Sequence, residues 1–396
     1  MQSIENKPVP YTRLSAYYFF GCALYGAMLP YWILWMRDKG YSAVEIGSVT
    51  SAQIIMTVVG TYVFGALSDK TGKPLTMVRI GVLLAVMVFA AIFWAADHYL
   101  GVMLILAGSS FFWQGVNAQF EVITLRHLGR FKANYSLIRL VGSVGFVLSV
   151  WGTGHLLEWA SIDLLPAIIL LLMVLLLGMA LVNYGGEVRL SASQPPALLP
   201  HLAQPLVVMA IAIFFLSNLS HGSYYGFFSL YLEEQGYSQG AIGNLWSVAV
   251  VFELAMFALM PLMLRHFSYS HILLISLTMT VLRWAVMAGE PQSWWALAFI
   301  QVLHGFSFSW VHSVGILLFK QLFSGALEGR GQALFAGGCA AAGQAVGIAL
   351  AGYLWHLGPA LTFIISALAA LVALIVTVLL ITGRTGQRLQ SLTRQV

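Results

Sequence analysis

Charge is what this sequence has least of. Asp, Glu, Lys and Arg make up 8% of its 396 residues, against 60% hydrophobic side chains. So few polar groups cannot cover a water-facing globule, and the chain reads as an integral membrane protein. The little charge it has is not gathered into a basic face, so the net charge of +5 is no sign of nucleic-acid binding. Cysteine is nearly absent too. Cys22 and Cys339 both fall inside apolar runs, where small apolar packing is expected and a structural disulfide is not. No His/Cys set has metal-ligand spacing, and no nucleophile elbow or phosphate-cradling glycine loop occurs in an accessible loop. Metal, cofactor and enzymatic activity are therefore not expected. A cleavable signal is missing as well, because the first apolar run follows only a short polar arm and continues for about 23 residues without a small-residue cleavage site, so it is expected to be retained.

What is abundant is apolar length. Cutting at charge clusters and at Gly, Pro and Asn turns gives twelve runs long enough to cross a hydrocarbon core of about 30 Å. They fall near 14–36, 44–67, 75–96, 99–125, 135–157, 163–184, 205–232, 241–264, 270–289, 294–319, 331–356 and 359–382. With the N-terminus inside, fifteen Lys and Arg residues face the cytoplasm, and only Arg37 and Lys39 face the other side. That asymmetry sets the orientation, with both termini cytoplasmic, and an odd number of spans would destroy it. A bacterial inner membrane is the expected location, and a monomer the expected state.

The chain also repeats itself. Gly40-Tyr41-Ser42 with Ile46-Gly47 returns as Gly236-Tyr237-Ser238 with Ile242-Gly243, shifted by 196 positions. Six spans separate the copies, so both have the same orientation. A parallel repeat of two six-helix halves is the architecture of the major facilitator fold. The expected class is thus an all-α membrane protein with twelve transmembrane helices: a six-helix bundle over 1–184, a cytoplasmic linker over 185–204 containing Pro195, Pro196 and Pro200, and a second bundle over 205–396. The loop after the second span, Gly65-Ala66-Leu67-Ser68-Asp69-Lys70-Thr71-Gly72-Lys73, resembles the signature of major facilitator proteins. The resemblance implies a conformational latch made by Gly65, Asp69, Lys70, Gly72 and Lys73, with Gly65 permitting a close approach of helices.

Charges inside the spans are the candidates for function, since an ion in hydrocarbon costs several kcal/mol unless it meets a partner or a water-filled cavity. Four stand out: Glu121, Arg139, Glu253 and Arg283. Glu121 precedes Arg139 by 18 positions, and Arg139 opens the run Arg-Leu-Val-Gly-Ser-Val-Gly-Phe. This is similar to the lactose permease branch of proton symporters, which implies that the pair binds solute and that Phe146, seven positions after Arg139, supplies a stacking face. The same resemblance puts Glu253, Arg283 and His304 in proton coupling. The carboxylate that the branch has three positions after its histidine is Ser307 here, so Glu253, His304 and His312 all stay open as the proton carrier. His304 and His312 are eight residues apart, about two helical turns, and hence on one face.

A fuller likeness, running from Leu29-Pro30-Tyr31-Trp32 through Tyr224-Tyr225, Leu245-Trp246-Ser247 and Arg283-Trp284 to His312, is to the phenylpropionate permease group. It implies proton symport of an aromatic carboxylate such as 3-phenylpropionate. Arg139 or Arg283 can hold a carboxylate through a bidentate fork, and Tyr25, Phe146, Tyr225, Trp246, Trp284 and Trp310 offer apolar faces. The partners expected are a small solute, protons and the lipid bilayer, with the proton gradient as driving force. Uptake of a sugar or nucleoside, efflux, and a non-transporting sensor or scaffold are the alternatives.

Overall fold

The structure, a computed structural model, describes residues 9–182, 184 and 199–382. Most of the expected linker, 185–198 with Pro195 and Pro196, lies outside the described residues, as do Lys7, Arg189, Arg384, Arg388 and Arg394. Among the described residues twelve helices are long and apolar enough to cross a membrane: α1 (Tyr11–Asp38), α2 (Ala43–Thr71), α3 (Pro74–Ala95), α4 (Tyr99–Leu128), α5 (Tyr135–Trp159), α6 (Ile162–Leu181), α7 (Pro205–Glu234), α8 (Gln239–His266), α9 (Tyr269–Ala288), α10 (Trp294–Leu322), α11 (Gly325–Leu357) and α12 (Pro359–Thr382). Each apolar run of the sequence falls on one of them. The largest displacement is at α11, which begins at Gly325 rather than 331, because its first turns are polar and glycine-rich and hydropathy does not register them.

Contacts divide the chain into two compact units, Met1–Ser193 with Gly236–Asn244 and Gln194–Gln235 with Leu245–Val396. In the first, α1 packs on α5 and α6, α2 on α4, and α3 on α4 and α6. In the second, α7 packs on α11 and α12, and α9 on α10 and α12. The internal repeat is therefore a repeat of packing as well as of sequence. Gly40 and Gly236 take φ of +83° and +82°, a left-handed turn that a glycine enters without steric cost. Ser42 then caps α2 in a reciprocal box with Glu45, and Ser238 accepts from the Ala241 N–H at 3.3 Å at the start of α8. The tight helix contacts follow the same shift. A Cβ on Gly145 would lie 2.5 Å from the Phe19 carbonyl oxygen and one on Gly343 2.5 Å from that of Phe215, and the two phenylalanines are again 196 positions apart. Without water to drive apolar helices together, such close backbone packing is what holds them.

The signature loop has a plain local explanation. Gly72 ends α2 at φ +67° with its N–H on the Ser68 carbonyl, and Pro74 starts α3, where a missing N–H costs nothing. Asp69, Lys70 and Lys73 stand exposed. Gly65 does not act as expected. A Cβ there would meet only Gln119 Nε2 at 3.7 Å, an ordinary contact, so packing does not require glycine at that position. The close approach on α2 is earlier, at Gly60, where a Cβ would run into the Phe111 carbonyl of α4.

Candidate functional site

In the first unit a cavity of about 410 Å³ opens among α1, α2, α4 and α5. Glu121 and Arg139 both line it, together with Tyr25 and Phe146. No ion pair under 4.0 Å joins Glu121 to Arg139, so the two charges share the cavity without being locked to each other. Arg139 instead lies 5.6 Å from the centre of the Tyr18 ring. Tyr25 stands between Phe146, 6.1 Å away, and Trp113, 6.4 Å away, which makes three aromatic walls of one space. Sequence reading passed over Tyr18, Trp113, Gln114 and Asn117, which also line it. A signal was there: Gln114, Asn117 and Glu121 are spaced by three and four, which is one face of a helix. The missed feature is the single 3-10 turn Gln114–Val116 that interrupts α4 at that face.

The second unit holds a buried ionic network. Arg283 of α9 is fully buried. Its Nε donates to the Ile300 carbonyl at 3.1 Å and its Nη1 to His304 Nδ1 at 2.9 Å. Its guanidinium carbon lies 4.1 Å from the Tyr224 ring centre and 4.3 Å from that of Trp284. His304 Nε2 is 3.4 Å from Glu253 Oε2. The tautomer follows from the partners. Guanidinium N–H groups only donate, so Nδ1 must accept, the ring proton sits on Nε2, and it points at the carboxylate. Arg283, neutral His304 and Glu253 thus form a chain with opposite charges at its ends. Protonating His304 at Nδ1 would set a donor against a donor, whereas Glu253 can take a proton and still accept from the ring.

The turn that carries His304 is irregular. Immediately after it, Gly305–Trp310 is a π-helix, a wide turn found frequently at functional positions. It helps to bring His304 and His312 into one column, with Phe308 stacked between them at 5.5 Å from each ring. His221 of α7, which sequence reading did not single out, joins this cluster. Its Nδ1 lies 2.8 Å from the Ser217 carbonyl and its Nε2 3.4 Å from Ser307 Oγ. A space of about 10 Å³, enough for one water, is bounded by His221, Ser307, Asn218 and His312.

Three of the expected aromatic faces are buried. Trp246 and Trp284 are core residues at 2% and 0% exposure, with their indole N–H groups donating to Ser229 Oγ at 2.9 Å and Ser220 Oγ at 3.2 Å. Trp310 is likewise buried, donating to the Met256 carbonyl. Tyr225 remains half-buried, 6.1 Å from His304 and 6.4 Å from His221.

Comparison with known proteins agrees with this architecture. The profile of the MFS_1 like family matches residues 11–365. A "Probable 3-phenylpropionic acid transporter" of Escherichia coli (strain K12) is 28% identical over 300 residues, covering 74% of this chain and 77% of that protein. "Maltose permease" of Geobacillus stearothermophilus is 27% identical over 303 residues, with 72% of each chain covered. Among solved structures, a mutant of the nucleoside transporter NupG superposes with a TM-score of 0.82 over 93% of this chain and 98% of that one, at 16% identity, a likeness of fold alone. A chain of twelve membrane-length helices whose family profile covers nearly all of it belongs to the MFS_1 like family: it is a multi-pass membrane transporter of a small-molecule solute and not an enzyme.

Proposed function

We propose that the protein is a proton-coupled symporter of a small organic acid, with an aromatic carboxylate such as 3-phenylpropionate as solute, working by alternating access. One observation carries the reading: Arg139 shares a single cavity with the aromatic walls of Tyr25, Trp113 and Phe146. A guanidinium fork is suited to a carboxylate, and three rings about 6 Å apart suit a flat apolar body. The printed name of the Escherichia coli relative points the same way.

The chain Arg283–His304–Glu253 is assigned the coupling. While Glu253 is ionised, the buried positive charge has its counter-charge one imidazole away. A proton on Glu253 removes that compensation inside a low-dielectric unit, and this is a term large enough to bias a conformational equilibrium. Coupling follows if the state favoured by protonated Glu253 is also the state that binds solute at Arg139. No cofactor enters the cycle, and the exposed Asp69, Lys70 and Lys73, with the Gly72 turn, are assigned the latch. A bacterial inner membrane is the location assigned, and the charge asymmetry of the loops supports an orientation with both termini in the cytoplasm.

Proteoliposomes with an inward proton gradient test this. Wild type is expected to accumulate radiolabelled 3-phenylpropionate, Arg139→Ala to lose transport, and Arg139→Lys, which keeps charge but not the fork, to raise KM about tenfold or more. Competition by maltose or nucleosides but not by aryl acids would overturn the solute class, and full accumulation by Arg139→Ala would overturn the site.

A further inference from the structure

The cavity of the first unit has two chemically different ends. Three pairs of its lining residues are each seven positions apart: Tyr18 and Tyr25 on α1, Gln114 and Glu121 on α4, Arg139 and Phe146 on α5. Seven residues of helix rise about 10 Å. Successive transmembrane helices run antiparallel, so Glu121, Arg139 and Tyr18 mark one end and Gln114, Phe146 and Tyr25 the other. The ring contacts agree, since Arg139 lies over Tyr18 while Tyr25 approaches both Phe146 and Trp113.

The far end is aromatic but not wholly apolar. The 3-10 turn in α4 begins at Gln114, which is half-buried, and Asn117 is exposed, so both side-chain amides line the cavity within reach of water. Trp113 is only 2% exposed, and its indole N–H is buried. A plain aromatic ring seated there would displace water from the Gln114 amide without replacing its hydrogen bonds, at a cost comparable to a lost hydrogen bond.

We propose that this end reads a hydrogen-bonding substituent on the solute, and that Gln114 is the specificity-determining residue. The solute class is a hydroxylated aryl carboxylate, with its carboxylate at Arg139, its ring between Tyr25, Trp113 and Phe146, and its ring hydroxyl at the Gln114 amide. The spacing suits this, because a hydroxyl on the ring edge remote from a propionate chain lies roughly as far from the carboxylate as the two ends of the cavity lie apart. The inference rests on the aryl-acid reading above and narrows it.

Binding to the purified full-length protein tests it, by calorimetry with 3-phenylpropionate, 3-(3-hydroxyphenyl)propionate and 3-(4-hydroxyphenyl)propionate, each on wild type and on Gln114→Met. Wild type is expected to bind one hydroxylated acid about tenfold more tightly than the plain acid, the worth of one well-placed hydrogen bond. In Gln114→Met, similar in length but without the amide, the ratio is expected to fall towards one. Equal binding of all three acids by wild type would overturn the proposal and leave the aryl-acid reading standing, and this outcome needs no variant to fold. A preference that persists in Gln114→Met would remove Gln114 from the role. Failure of all three acids to bind, with maltose or a nucleoside binding instead, would overturn both readings together.

Discussion

Arg283 is a guanidinium at 0% exposure inside a helical bundle, and its surroundings show how such a charge is tolerated. Two of its nitrogens have acceptors, and two aromatic faces lie within 4.3 Å of its carbon. Contacts of that kind contribute from about 0.5 to 2 kcal/mol each where water is excluded. Full compensation needs a negative charge, and Glu253 supplies it through a histidine whose tautomer is fixed at both ends. Of the three groups that the sequence left open as proton carriers, Glu253 is the one to which the proposed coupling assigns the proton. His304 accepts from Arg283 at Nδ1, while His312 is stacked on Phe308. The first unit offers its own residue-scale probe. Cys22 lines the cavity and is half-buried, whereas Cys339 is fully buried. A maleimide is therefore expected to label Cys22 selectively and to do so several-fold more slowly in the presence of the bound solute. Mass spectrometry of the labelled protein reads the rate, and protection by neither an aryl acid nor a sugar would separate this cavity from solute binding.

The helices themselves were legible from hydropathy, because in lipid the backbone has to satisfy itself and twenty apolar residues leave few other choices. Their interruptions were not. Nothing in Gly305-Phe306-Ser307-Phe308-Ser309-Trp310 announces a π-turn, which arises where α10 meets α8: a Cβ on Gly305 would lie 2.7 Å from the Phe252 carbonyl, and Ser309 Oγ donates to the Glu253 carbonyl at 3.0 Å. Direction was equally hidden for Trp246 and Trp284, since composition marks a tryptophan but not the side of the helix it covers. The repeat, in contrast, reaches further than its motif. Thr57 and Glu253 are 196 positions apart, as are Tyr25 and His221, so equivalent places in the two units carry cavity-lining groups in one and the ionic cluster in the other. Helix packing gives a contrast that can be measured. Gly222 and Gly347 lie backbone to backbone, and a Cβ on Gly347 would strike the Leu219 carbonyl, while Gly65 has room. Gly347→Val is expected to lose several kcal/mol of stability or fail to accumulate in the membrane. Gly65→Ala should stay within about 1 kcal/mol of wild type, because a helix interior favours alanine over glycine by roughly that amount. Melting temperatures in detergent would decide, and the reverse order would contradict the packing described.

At the scale of the whole molecule the protein is two similar bundles whose polar cargo differs. One contains an open cavity lined by Arg139, the other the chain from Arg283 through His304 to Glu253. That division of labour was readable in part: the four intramembrane charges were evident as exceptions to an apolar background, but their environments were not, because burial and tautomer are set by residues such as Tyr224, Ser217 and Ile300 that lie far away in sequence. The account turns on Glu253 carrying a proton whenever solute crosses, and the most direct measurement is lumenal pH in proteoliposomes prepared without any gradient. A pulse of external 3-phenylpropionate should acidify the lumen of wild-type vesicles faster than that of protein-free vesicles, while Glu253→Gln should still exchange labelled for unlabelled solute yet acidify no faster than the protein-free control. Solute entry through the wild type with no added acidification, or undiminished acidification in Glu253→Gln, would contradict it.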